Sequence, residues 1–292
     1  MNRGHDFAGK TVVITGAGSG IGRSLAQQFD AAGARLALAD INAVGLAETA
    51  ATLHGRVLTQ VFDVADRAAF EAFAVEVEQS CEAVDIVINN AGVDVSQDVA
   101  NTSYADFEWL FGINFWGVVH GTKAFLPRML ERDRGVIVNV SSVFGFVAWP
   151  MHSAYVASKF AVRGFTETLR HELAGSGVRA VPVHPGGIRT NIVRNSRFHV
   201  DDAGSADRER ITQEFDQIAM TSPDKAAATI IDGIARGKRR ILIGLDARIM
   251  ERLTRWLPTR YWGVIAAAVN SYRKPSAADK RSAQTPEKKR AA

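Results

Sequence analysis

The chain has one cysteine, Cys81, so no disulfide can form within it. That usage fits a reducing cytosol. No histidine or cysteine cluster has metal-ligand spacing, and no bound metal is expected. No apolar run approaches the roughly 20 residues of a membrane span. The start lacks a charged-then-apolar signal with a cleavage site, so a cytoplasmic protein is expected. Net charge is also small over most of the chain. The pI near 9.3 would point to nucleic acid. However, residues 273–292 hold seven Lys or Arg against Asp279 and Glu287. The chain total is +4, so residues 1–272 net −1. The basicity belongs to a polar tail of disordered composition, and no nucleic-acid partner is expected.

What the chain does have is apolar material, 47% of 292 residues, set out in a regular order. Residues 11–15 are a short β-branched run. Gly16-Ala17-Gly18-Ser19-Gly20-Ile21-Gly22 follows, then a helical pattern through Phe29. Strand, glycine turn and helix is the context of a phosphate-binding loop, where backbone N–H groups and the helix dipole meet an anion. Residues 34–40 read as a second buried strand ending on Asp40. An acid there hydrogen-bonds the adenosine ribose and repels a 2′-phosphate. Neither Ser19 nor Ile41 supplies a compensating positive charge, so NAD is expected over NADP.

Residues 42–54 read as a helix that Asn42 could cap, and 56–62 as a third strand followed by Asp63 and Val64. Residues 66–80 read as a helix. Residues 83–92 read as a fourth strand ending in Asn89, Asn90, Ala91 and Gly92. A helix over 103–130 carries Asn114 on an apolar stripe with Phe107, Leu110 and Phe111. A polar residue there needs a partner. Residues 177–190 read as a sixth strand, broken by Pro182 and ending at Pro185-Gly186. Residues 191–222 are polar and irregular, with a helical piece near 207–219, and read as a binding loop. A helix over 223–236 and a strand over 239–243 complete the pattern.

This alternation predicts an α/β fold: one Rossmann-type, doubly wound parallel sheet of about seven strands, with helices on both faces. It divides the chain into a Rossmann-type domain over 1–245, a helical extension over 246–272, and the tail at 273–292. The extension places Ile249, Leu253, Trp256 and Leu257 at helical spacing, followed by an uncharged run from Trp262 to Val269. Packing is expected of it ahead of peripheral membrane contact.

The chemistry sits between Gly135 and Phe165. A buried strand ends on Ser141 and Ser142. The next helix puts Tyr155 and Lys159 four residues apart on one face. A free phenol titrates at about 10. A neighbouring ammonium favours the phenolate and is expected to lower that value. A serine hydroxyl at the same point can hold a carbonyl or alcohol oxygen. Together these groups form an acid/base site for an alcohol–ketone couple that lacks only a hydride carrier.

These motifs together resemble the short-chain dehydrogenase/reductase family over about residues 8–245. Thr15-Gly16-Ala17-Gly18-Ser19-Gly20-Ile21-Gly22 matches its glycine loop, and Asn89-Asn90-Ala91-Gly92 its fourth-strand motif. Ser142, Tyr155 and Lys159 match its catalytic spacing, which selects Ser142 over Ser141. Asn114 matches its fourth catalytic position. Pro185, Gly186 and Thr190 match the segment against the nicotinamide. The resemblance implies that Tyr155 is the acid/base, and that Lys159 tunes it and binds the nicotinamide ribose. It also implies that Ser142 polarises the substrate oxygen and that Asn114 supports a proton relay. By the same resemblance, Gly16, Ser19, Gly20 and Ile21 line the pyrophosphate, Asp40 the adenosine ribose, and Asp63 and Val64 the adenine. Asn90, in the motif with Ala91 and Gly92, lies by the ribose, and Ile188 and Thr190 by the carboxamide. Family members form homodimers or homotetramers through the helices of residues 103–130 and 153–175.

The expected substrate lining is Val93, Val95, Phe144, Trp149, His152 and Ile192, which favours an apolar alcohol or ketone of lipid, terpenoid or steroid type. His152 has no partner in the sequence and reads as incidental. The alternatives are an NADP-dependent carbonyl reductase, or a dinucleotide-binding sensor or scaffold without catalysis.

Overall fold

The β-branched runs form a parallel sheet, and the amphipathic segments cover its two faces. The structure, a computed structural model, describes residues 7–81, 83–200, 207–210, 212–213 and 219–272. The basic tail, and residues 211 and 214–218 of the helical piece expected near 207–219, lie outside the described residues.

The strands are β1 (Thr11–Thr15), β2 (Arg35–Asp40), β3 (Val57–Val61), β4 (Ile86–Asn89), β5 (Val95–Ser96), β6 (Gly135–Val140), β7 (Val178–Pro185), β8 (Arg197–Phe198) and β9 (Ile241–Ile243). Seven of them make the main sheet, in the order β3-β2-β1-β4-β6-β7-β9, every pair parallel. The remaining two, β5 and β8, pair only with each other. The helices are α1 (Gly20–Ala31), α2 (Ala43–Ala51), α3 (Arg67–Ser80), α4 (Tyr104–Phe111), α5 (Gly117–Glu131), α6 (Ser153–Glu172), α7 (Pro223–Ala235), α8 (Leu245–Trp256) and α9 (Tyr261–Tyr272).

Period-two alternation sends successive strand residues to opposite faces. Val12 and Ile14 of β1 join Leu36, Leu38, Ile86 and Ile88 in a core closed by Leu25 and Phe29 of α1 and Ile230 and Ile234 of α7. Val13 joins Ala37, Val87 and Ile137 in the opposite core, closed by Phe70, Phe73, Phe125 and Met129. Each fully buried phenylalanine contributes roughly 2–3 kcal/mol by area removed from water.

Two expectations are corrected. The strand through Pro182 is not broken: β7 runs unbroken, with Pro182 in register opposite Asn139. On its other side β9 begins pairing only at Val183, so the missing N–H of Pro182 interrupts no ladder there. The expected helix over 103–130 is also not uniform. A π-helical turn at Gly112–Trp116 separates α4 from α5 and contains Asn114. Such turns re-aim side chains within a helix.

Residues 1–251 form one compact unit and residues 252–292 a second. The expected boundary at 245/246 falls at the start of α8. In the second unit Leu257 N–H donates to Leu253, and Tyr261 N–H donates to Leu257. Trp256 is 83% exposed there. Among the described residues no helix is long and apolar enough to cross a membrane.

Candidate active site

The glycine loop is held in shape by contacts that only glycine permits. Gly16 sits at φ +66° and Gly20 at φ +51°. A Cβ on Gly22 would overlap the Gly16 carbonyl oxygen. The N-cap of α1 is Ser19, exposed, and its side chain caps no backbone N–H. The start of α1 is thus left with free donors. A cavity of about 270 Å³ opens beside it, lined by Gly18, Ser19, Gly20, Arg23, Asn42, Val44, Gly45, Glu48 and Asn191.

Asp40 stands at the end of β2 and holds the loop. Its Oδ2 accepts from Gly18 N–H at 2.7 Å, and its Oδ1 from Asn42 N–H at 2.8 Å. Ser19 and Ile41 carry no charge, but a cation does stand close to the loop. Arg23, one turn into α1, donates to the carbonyls of Gly18 at 2.6 Å and Gly45 at 3.2 Å, and to Thr49 Oγ1 at 2.9 Å. It also pairs with Glu48 at 2.8 Å. Its guanidinium is committed to the protein.

The fourth-strand motif clasps the same loop. Asn90 Nδ2 donates to the carbonyls of Thr15 and Gly16 at 3.0 and 3.2 Å. Thr15 Oγ1 accepts from the N–H groups of Asn90 and Ala91. Asp63 turns back to accept from Ala65 N–H at 2.9 Å, and Val64 is buried with its carbonyl toward His120. On the other side, Pro185 ends β7. Gly187 N–H donates to Asp246 Oδ2 at 2.6 Å, so the start of α8 braces the Pro185-Gly186 turn. Ile188 is 4% exposed and packs into the first core, while Thr190 touches the space over Gly20. Ile21 packs against that core as well.

At the ends of β6 and α6 the geometry separates the two serines. Ser141 Oγ donates to the Lys159 carbonyl at 2.8 Å, within the fold. Ser142 is hydrogen-bonded with Tyr155, and its Oγ also accepts from Phe144 N–H at 3.1 Å. Lys159 Nζ donates to the Val140 carbonyl at 3.1 Å and lies 5.4 Å from the centre of the Tyr155 ring. Asn114 is fully buried: its Oδ1 accepts from Val93 N–H at 2.8 Å, and its Nδ2 donates to the Val93 carbonyl and Ser158 Oγ. A Cβ on Gly92 would lie 3.3 Å from both Asn114 Oδ1 and Lys159 Nζ, so both groups border one small space.

The electrostatics differ from the expectation for Tyr155. Burial, then the charge of Asp94, push its phenol above the usual range, and only the Ser142 hydrogen bond opposes them. Burial also pulls Lys159 down to about 8, with Asp94 opposing. Desolvation is the largest cause at both groups and favours the neutral form of each.

Phe144 organises the substrate side. Its ring stacks on Trp149 at 5.8 Å and meets Tyr155 edge-on at 6.0 Å. Val93, Phe144 and Ile192 pack, half-buried, around Tyr155. Val95 is the exception among the expected lining residues. It is 2% exposed, sealed into β5 and the cluster beneath, and offers no free surface.

The profile of the family described as short chain dehydrogenase matches residues 10–200. The chain belongs to this family. It is 43% identical over 272 residues to SadH of Mycobacterium tuberculosis, which is named as an oxidoreductase, covering 91% of this chain and 97% of that one. It is 32% identical to estradiol 17-beta-dehydrogenase 11 of Macaca fascicularis, covering 92% and 86%. Among solved structures, a short chain dehydrogenase/reductase from Burkholderia phymatum in complex with NAD superposes with a TM-score of 0.79 at 30% identity, covering 93% and 98%.

Three features of this short chain dehydrogenase escape a reading of its sequence. Arg23 reads as one more helix-surface cation. His184, wholly buried, donates from Nδ1 to the Ser142 carbonyl at 3.0 Å and packs on Phe146 at 4.1 Å, with no partner for Nε2. A buried ladder runs from Asn89 to Asn139 at 2.8 Å and on to Thr166 at 3.0 Å, under the site. The histidine before Pro185 and the asparagines in two apolar strands were the available signals, since buried polar groups are there for a partner.

Proposed function

We propose that this chain is an NAD-dependent oxidoreductase interconverting an apolar secondary alcohol and its ketone. The observation that carries the reading is the Ser142–Tyr155 hydrogen bond, held against Lys159 beside a loop built for a dinucleotide. The loop fits such a group: Gly22, with no Cβ to overlap the Gly16 carbonyl, lets it turn tightly, and the start of α1 offers free N–H donors. When bound, the nicotinamide accepts or gives the hydride. The chain supplies the rest. Tyr155 gives a proton to the carbonyl oxygen or takes one from the alcohol. Ser142 orients that oxygen. Lys159, fixed on Val140, carries the positive charge nearest the phenol. Asn114 and Lys159 border the space where a water would link Tyr155 to solvent.

Asp40 supports NAD over NADP, since its carboxylate faces the place of a 2′-phosphate and Arg23 is committed elsewhere. The apolar wall of Phe144, Trp149 and Ile192 supports an apolar substrate, and a relative named as an estradiol dehydrogenase agrees with it. We place the protein in the cytoplasm. We assign self-association to α5 and α6 with the turn before α5, where Trp116 and Phe160 stand 52% and 40% exposed.

Tyr155→Phe tests the reading. Turnover of a panel of secondary alcohols, followed as NADH absorbance, is expected to fall by about 10²–10⁴-fold, while NAD binding holds. Full activity in the variant would refute the assignment. Tight NAD binding with no turnover across the panel by the wild type would favour the sensor instead.

A further inference from the structure

His152 acquires a partner in the fold. Its Nδ1 lies 3.2 Å and 3.1 Å from the two carboxylate oxygens of Asp94, 58 residues away in the chain. Asp94 is 7% exposed, and its carboxylate has no other hydrogen-bond partner among the described residues. The pair is not needed to join the two segments. Gln97 N–H already donates to the Met151 carbonyl at 2.8 Å, and Gln97 bridges to His152 through the backbone. The backbone also bends to present this ring: Met151, immediately before it, sits at φ +67°, a left-handed conformation that a side chain of this kind rarely adopts.

The ring lies 5.9 Å from Phe144, whose centre is 6.0 Å from the Tyr155 ring. His152 and the acid/base tyrosine therefore flank the same aromatic side chain. Asp94 is close enough for its charge to act on both Tyr155 and Lys159. With Nδ1 committed to Asp94, the ring's remaining polar atom is Nε2, and the residue stays partly open, its side chain 22% exposed.

We propose that Asp94 and His152 form a second polar subsite of the substrate cleft, in which His152 Nε2–H donates to an uncharged oxygen carried by an otherwise apolar alcohol or ketone. The inference rests on the oxidoreductase reading above and narrows its substrate class to molecules with a second oxygen, carbonyl or ester, near the reacting carbon. Burial disfavours the imidazolium, but the Asp94 charge and hydrogen bond outweigh it and hold His152 above its ordinary range, which favours the form with a proton on each ring nitrogen. The pair is then neutral overall, and its neighbours Phe144 and Trp149 are apolar. That environment suits a neutral acceptor better than a carboxylate, whose charge would sit unpaired beside Asp94.

The test compares kcat/KM for matched alcohols with and without the second oxygen, such as methyl 3-hydroxyoctanoate and 2-octanol, across several chain lengths. The ratio cancels any effect on Tyr155 common to both. The wild type is expected to prefer the hydroxy ester. His152→Phe is expected to lower the ratio by about 10-fold or more, as for a lost hydrogen bond to a charged donor, while 2-octanol turnover persists. His152→Gln, which keeps an N–H donor, is expected to retain part of the preference. A wild type without preference, or a His152→Phe variant with an unchanged ratio, overturns the subsite and leaves the oxidoreductase reading standing. No turnover of any pair by the wild type defeats both.

Discussion

His184 couples the stability of the fold to the placement of Ser142, and the coupling has a sign and a size. Its imidazole is 0% exposed. Because the Ser142 carbonyl can only accept, Nδ1 must carry the proton, and the unpartnered Nε2 is the site a second proton would take. Burial holds that second proton off, and the charges of Arg240 and Arg163 add to it. The Ser142 bond and Glu167 oppose, and the value falls to about 3. In the unfolded chain a histidine titrates near 6.5. Between those values the unfolded state binds a proton that the native state refuses, so stability is full above about pH 6.5 and is lost as pH falls. From pH 7.5 to pH 5 the loss from this one residue is about 2 kcal/mol. The measurement is urea unfolding at both values, at one protein concentration, for the wild type and for His184→Asn. Asparagine retains an N–H donor for Ser142 but does not titrate in this range. The acid-induced loss is expected to be smaller in the variant by about 2 kcal/mol, whatever its stability at pH 7.5. Other carboxylates and histidines cancel in the difference. Equal pH slopes in the two proteins would refute the claim that His184 is buried as the neutral form.

Other consequences follow from the same contacts. Asp40→Ala removes the charge facing a 2′-phosphate, about 1–2 kcal/mol of repulsion in a half-exposed cleft, so the NAD-to-NADP affinity ratio should fall by about 10-fold. Titration calorimetry checks it, and an unchanged ratio contradicts the role given to Asp40. Absolute NAD affinity should fall too, because Gly18 loses its acceptor. Asn139→Leu removes the shortest hydrogen bond of the Asn89 amide and the donor to Thr166 Oγ1 beneath the site. It should cost about 2–4 kcal/mol of unfolding free energy, and a change below 1 kcal/mol by urea denaturation would show that the ladder is dispensable.

The parts of the site legible in the sequence are those whose chemistry is local. The loop is legible because Gly16, Gly20 and Gly22 meet local constraints, a positive φ or a close backbone approach, within one stretch of chain. Tyr155 and Lys159 are legible as a pair because helical spacing alone brings them to one face. The alternation of strand and helix made legible a sheet covered on both faces. What failed depended on neighbours distant in the chain. Pro182 looked like a break because the late start of β9 is not visible from residues 177–190. His152 looked incidental because only the crossing of two loops brings Asp94 to it. The π-helical turn around Asn114 left no compositional trace, since one extra residue in a helix turn changes the aim of a side chain and not the apolar stripe.

Asp94, taken alone, works against the tyrosine it borders. Burial favours the neutral forms of both Tyr155 and Lys159. With Lys159 at about 8, the site at neutral pH still holds an ammonium beside a phenol, an arrangement ready to give a proton to a ketone oxygen. Alcohol oxidation asks the reverse, that Tyr155 lose its proton, and a carboxylate at position 94 adds repulsion to a phenolate already penalised by burial. A bare aspartate there would be a defect for one direction of the reaction. His152 gives that carboxylate a second role, because Nδ1 lies 3.1 Å from Asp94 and the pairing fixes the ring beside Phe144. Each residue is hard to account for without the other. An unpaired Asp94 would oppose the base, and an unpaired His152 would be neutral and unaimed. Together they fix one partly open imidazole against the aromatic side chain that Tyr155 also borders.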